Sequence, residues 1–149
     1  MSVTFDQHGI DFTYIDGKGE HPITPRVNPK FAIILAAMCE LLADHGFSKV
    51  GTYGVICNRL VRGSKSRTSM HSEGLKSNGY KHWADGSHGS LAVDIVYARC
   101  GDNDYELSVP AERTAMIKFM RNNGCTVYHT GESGDKKVAP DHLHMEWTP

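Results

Sequence analysis

The stretch Leu91-Ala92-Val93-Asp94-Ile95-Val96-Tyr97 constrains the fold more than any other part of the chain. It is apolar nearly throughout, the pattern of a strand covered on both faces and therefore central in a sheet. The exception is Asp94. An unpaired carboxylate is costly to bury, so this position calls for a metal ion, strong hydrogen-bond donors or a cation; an arginine such as Arg99 would serve.

The rest of the chain supplies elements to place around that strand. Residues 1–30 contain short alternating pieces, Val3-Thr4-Phe5 and Phe12-Thr13-Tyr14, and predict one or two short strands. Asn28 is suited to cap a helix and Pro29 to open it. Phe31, Ile34, Leu35, Met38, Leu41 and Leu42 then recur at helical spacing up to a stop at Gly46. Val50 to Ile56 predicts a strand, and residues 61–90, rich in Ser, Gly and Lys, predict a loop. A second helix is expected over 109–123, capped by Ser108, opened by Pro110 and ended by Gly124. Cys125 to His129 and Leu143 to Trp147 predict two further strands. The order implies an α+β fold: a small, largely antiparallel sheet with two main helices packed on it.

At 149 residues the chain suits a single domain with one modest core. Sixteen Lys and Arg against seventeen Asp and Glu leave a net charge of −1. This argues against a dedicated nucleic-acid binder, which needs a basic surplus. The most apolar run, Phe31 to Cys39, is too short to span a membrane. The first residues lack a basic segment followed by an apolar one, so synthesis in the cytoplasm without a signal peptide is expected. Cys39, Cys57, Cys100 and Cys125 form no CxxC pair, which disfavours a cysteine-based structural zinc site. Cys39 falls in the apolar pattern of the first helix and is expected in the core; a Cys57–Cys100 or Cys57–Cys125 disulfide is open.

The chain has nine histidines. His142 and His144 sit at the start of the last strand, where residues two apart share a face. Alone, such a pair is more often an ordinary feature of a surface strand than a ligand pair. Beside Asp94 and the polar segment Ser69-Met70-His71-Ser72-Glu73-Gly74 it becomes a candidate metal site.

These residues resemble a known family. Zinc peptidases of the D-Ala-D-Ala carboxypeptidase and dipeptidase type, with their extensin-like and phage endolysin relatives, carry Ser-x-His-x-x-Gly-x-Ala-x-Asp, followed near the C-terminus by His-x-His or acid-x-x-His. Here Ser69 to Leu75 is followed by sixteen residues, Lys76 to Leu91, and then by Ala92-Val93-Asp94. Without that interruption the segment reads SMHSEGLAVD and fits every fixed position. Gly54-Val55-Ile56-Cys57-Asn58-Arg59 is similar to the segment that precedes this motif in extensin-like relatives. The resemblance covers roughly residues 30–147 and implies one zinc peptidase-like domain of the hedgehog/DD-peptidase fold over 1–149, with an inserted loop at about 76–91.

By this resemblance His71, Asp94 and His144 are the zinc ligands, leaving a fourth position for water. Asp141 matches the general base, and His142 fills the first place of the His-x-His version, so either could take the proton. Arg59 matches the arginine that steadies an oxyanion or a substrate carboxylate, with Arg62 and Arg67 as nearby alternatives. Ser69, Arg67, Tyr80 and Trp83 are candidate substrate contacts. Tyr80, His82 and Trp83 lie in the insertion, which reads equally as a flap over the site or as a mobile surface loop. His88 is a rival to His71 with a poorer motif fit; His8, His21, His45 and His129 have no partner pattern.

The implied function is hydrolysis of a peptide bond in the stems of bacterial peptidoglycan, as a D,D-carboxypeptidase or an endopeptidase. A phage endolysin or particle-borne hydrolase, monomeric and reaching the wall after lysis or particle delivery, fits the size. The alternatives are a non-catalytic zinc-binding domain of the same fold that binds wall peptides, and a particle component whose histidines hold no metal.

Overall fold

The computed structural model describes residues 2–16, 19–52, 70–71, 74, 82–96, 110–128 and 142–148. They form an α+β arrangement: β1 (Asp11–Asp16), β2 (Gly19–Ile23), α1 (Pro29–Asp44), β3 (Lys49–Thr52), β4 (Ala92–Val96), α2 (Pro110–Asn122), β5 (Cys125–Tyr128) and β6 (His142–Trp147). The six strands make one sheet in the order β2-β1-β3-β4-β6-β5. It is antiparallel except between β1 and β3, the parallel pair whose intervening chain includes α1.

Local chemistry explains the limits of α1. The Asn28 side-chain oxygen accepts the Lys30 N–H at 2.9 Å, and Pro29 occupies the first helical position, where its missing donor costs nothing. At the other end Gly46 takes φ +84°, and the N–H groups of Gly46 and Phe47 return to the carbonyls of Ala43 and Leu42, both at 2.9 Å. This double closure, together with the His45 N–H, which also reaches the carbonyls of Leu41, Leu42 and Ala43, satisfies acceptors of the last turn. Phe31, Ala32, Leu35, Met38, Cys39 and Leu42 are buried, and Ile34 and Leu41 lie at the margins of that face. Pro22 is accommodated because β2 is an edge strand.

The core lies between the two helices and one sheet face. Phe31, Leu35, Met38 and Leu42 of α1 and Met116 and Met120 of α2 join Phe12, Val50, Val93, Ile95, Val127, Leu143 and Met145 in one buried cluster. Since strand side chains alternate, Asp94, His142, His144 and Glu146 fall on the opposite face. No helix among the described residues is long and apolar enough to cross a membrane.

One expectation is corrected. Trp83 is neither on a flap nor on a mobile loop: it is 3% exposed, belongs to the main core, and donates its indole N–H to the Gly89 carbonyl at 2.7 Å. The segment around it is tied down. Asn28 N–H donates to the Ser90 carbonyl at 3.0 Å, and Lys30 pairs with Asp85. Gly89, at φ +99°, passes so close to the start of α1 that a Cβ there would sit 2.5 Å from the Asn28 nitrogen. Cys39 and Cys125 are buried free thiols, and Cys57 lies outside the described residues. Burial pushes the thiol of Cys125 up to about 11 and is the main cause of the rise to about 12 at Cys39, to which the nearby Asp6 charge adds.

Candidate metal centre

The site is built on the pairing of β4 with β6. Asp94 registers directly opposite His144, which sets their side chains side by side on the face away from the helices. Tyr128 of β5 registers against His144 from the other side, with ring centroids 5.8 Å apart. The third participant arrives by a different route. The Leu91 N–H, just ahead of β4, donates to the Met70 carbonyl at 2.6 Å, and the Ser90 hydroxyl donates to the same oxygen at 3.3 Å. This junction holds His71 beside Asp94, although the two are far apart in the chain.

The resulting geometry is tight. His144 Nδ1 lies 3.0 Å from Asp94 Oδ1, and His71 Nε2 lies 3.5 Å from the same oxygen. The two imidazoles meet edge to face, with centroids 5.1 Å apart. One ligand atom from each residue falls within 4.8 Å of those from the other two. Tetrahedral zinc with bonds of roughly 2.0–2.1 Å would place its ligand atoms about 3.3 Å apart. Both distances to Asp94 bracket that spacing, so the donor set fits a metal ion with small side-chain adjustments. Two nitrogens and one carboxylate oxygen also suit zinc chemically.

Asp94 is only 7% exposed, which answers the question its sequence position raised. Burial opposes its ionisation, but hydrogen bonds from His144 and His71 overcome that and hold the carboxyl well below the usual range. Burial likewise disfavours a charged His144, yet hydrogen bonds to Asp94 and Glu146 outweigh it and raise the imidazole from 6.5 to about 9. Among the described residues His71 Nδ1 is buried with no hydrogen-bond partner.

The structure thus brings together His71, Asp94 and His144. His142 stands on the same face of β6, opposite Val96, outside that cluster. His88 turns instead toward His82, with centroids 6.3 Å apart. Trp83 supports the core, as described above. Asp141, Arg59, Arg62, Arg67, Ser69, Tyr80, Arg99 and His129 lie outside the described residues, as do Cys57, Cys100 and Ser108. Sequence reasoning missed Glu146, whose Oε2 lies 3.0 Å from His144 Nε2. The signal was available in the alternation His142, His144, Glu146 along one strand face.

No protein-family model, no curated protein and no solved structure matches the chain.

Proposed function

We propose that the chain is a zinc-dependent peptidase of the hedgehog/DD-peptidase fold that cleaves peptide stems of bacterial peptidoglycan. The observation that carries this reading is the convergence of His71, Asp94 and His144 on one sheet face. Those three residues were singled out by a motif that the sixteen residues Lys76 to Leu91 interrupt. The interruption does not separate the ligands, because the chain returns to Met70 at Leu91. The α+β arrangement, with two helices on one face and the site on the other, is compatible with that fold.

A zinc ion held there supplies a Lewis acid for the scissile carbonyl and an acidified water. Asp94 contributes a buried negative charge to its binding. His71 and His144 would each contribute an imidazole nitrogen, and His144 would give up a proton to do so. In this reading Asp141, three residues before His144, takes the proton of the attacking water and passes it to the leaving amine. His142 is placed on the site's face for hydrogen bonding to substrate or for the same proton transfer. Arg59 serves as the donor that steadies developing negative charge.

Metal analysis of the purified protein, combined with mass spectrometry of digested peptidoglycan, tests the reading. Stoichiometric zinc and a defined stem cleavage are expected. His71→Ala should lose both metal and activity, whereas Asp141→Ala should keep zinc and lose turnover. Full activity in a demonstrably metal-free protein overturns the proposal. Tight binding of wall fragments without cleavage would instead identify a zinc-containing binding domain.

A further inference from the structure

We infer that Glu146 is a positioning residue that presents His144 Nδ1 to the metal by accepting a hydrogen bond from Nε2–H. The inference rests on the metal-binding reading above.

The two nitrogens of His144 face different groups. Nδ1 lies 3.0 Å from Asp94 Oδ1, on the side where His71 Nε2 also approaches that oxygen, while Nε2 lies 3.0 Å from Glu146 Oε2. A neutral imidazole carries one proton, and its location decides which nitrogen has a lone pair to offer. With the proton held on Nε2 by Glu146, the lone pair of Nδ1 points at the ligand cluster. The ring torsion of histidine is broad, so an unheld imidazole can also turn over and present carbon instead of nitrogen. The hydrogen bond to Glu146 selects one orientation, and a carboxylate partner makes the ligating nitrogen a better donor.

The position of Glu146 suits this task. It stands two residues after His144 on the same face of β6 and is three-quarters buried. Its registered neighbours, Ala92 of β4 and Thr126 of β5, carry no charge that would draw the carboxylate away.

The experiment measures zinc affinity by chelator competition in the wild type, Glu146→Ala and Glu146→Gln, with proton–nitrogen NMR of the imidazoles in the zinc-loaded wild type. Removing such a partner should weaken zinc binding by roughly 10- to 100-fold. Glu146→Gln, which keeps an acceptor oxygen without the charge, should fall between Glu146→Ala and the wild type. The NMR spectrum should show His144 bearing its proton on Nε2. If Glu146→Ala fails to fold, Glu146→Gln decides the matter, with thermal unfolding of its metal-free form as the control for fold. Affinities indistinguishable from the wild type, or a zinc-loaded His144 protonated on Nδ1, overturn the inference while leaving the metal site standing. A wild-type protein that binds no zinc overturns both.

Discussion

Asp94 and His144 face each other across neighbouring antiparallel strands, with Oδ1 and Nδ1 3.0 Å apart. A carboxylate in an otherwise apolar strand therefore meets its counter-group through sheet register, without reliance on a long side chain or a loop. Asp94→Asn keeps the shape and removes the charge. Zinc affinity should fall by more than the roughly 10- to 100-fold expected for losing an outer hydrogen-bond partner. Chelator competition would show it, and an unchanged affinity would remove Asp94 from the ligand set.

Zinc binding should strengthen as pH rises toward about 9, because the raised imidazole of His144 must surrender a proton to the metal. The slope should approach about tenfold per pH unit for each proton displaced. The metal-free protein should behave in the opposite sense. A folded-state pKa above the unfolded value of 6.5 stabilises fully below pH 6.5, and that contribution disappears as pH rises through about 9. Zinc titrations and urea unfolding of the metal-free protein across this window check both signs. A flat pH profile for zinc would contradict the exchange of metal for proton.

Trp83→Ala should destabilise the fold by about 3–5 kcal/mol, the usual cost of deleting a large buried ring. Trp83→Phe, which keeps a ring but loses the bond to the Gly89 carbonyl, should cost less. Denaturant unfolding measures both. An unchanged midpoint for Trp83→Ala would return this residue to the exposed position expected from sequence.

Gly89→Ala is expected to cost at least about 1–3 kcal/mol for its backbone conformation alone. A methyl group would also be driven against the Asn28 backbone nitrogen at 2.5 Å. Because Asn28 caps α1, helix content as well as the unfolding midpoint should respond. A variant as stable as the wild type would mean that this close approach is not maintained.

The elements most legible in the sequence were those set by local chemistry. Asn28-Pro29 and Gly46 mark the ends of α1, and the apolar run around Asp94 marks β4. Asp94 was legible because a carboxylate in an apolar strand is expensive without partners, whereas His71 and His144 were singled out with it by the resemblance to the zinc-peptidase motif. What escaped depends on distant parts of the chain. The parallel pairing of β1 with β3 has no local signature. Trp83 sits in a stretch whose Ser, Gly and Lys content reads as solvent-exposed loop, and its burial follows from the docking of Gly89 and Ser90 on the start of α1. Glu146 was visible in the alternation of β6, but its role depends on how the His144 ring is turned, which composition does not encode.

The bond between Met70 and Leu91 separates the dimensions of the metal centre from the length of chain that intervenes. Within that excursion, the approach of Gly74 to the His82 backbone makes a second, inner closure. Because the entropy of closing a loop grows only slowly with its length, residues added or removed between Gly74 and His82 would leave His71 anchored against Asp94. The exacting distances of the site are thus set by the Met70–Leu91 bond and by the register of β4 with β6, and not by the number of residues between His71 and Asp94.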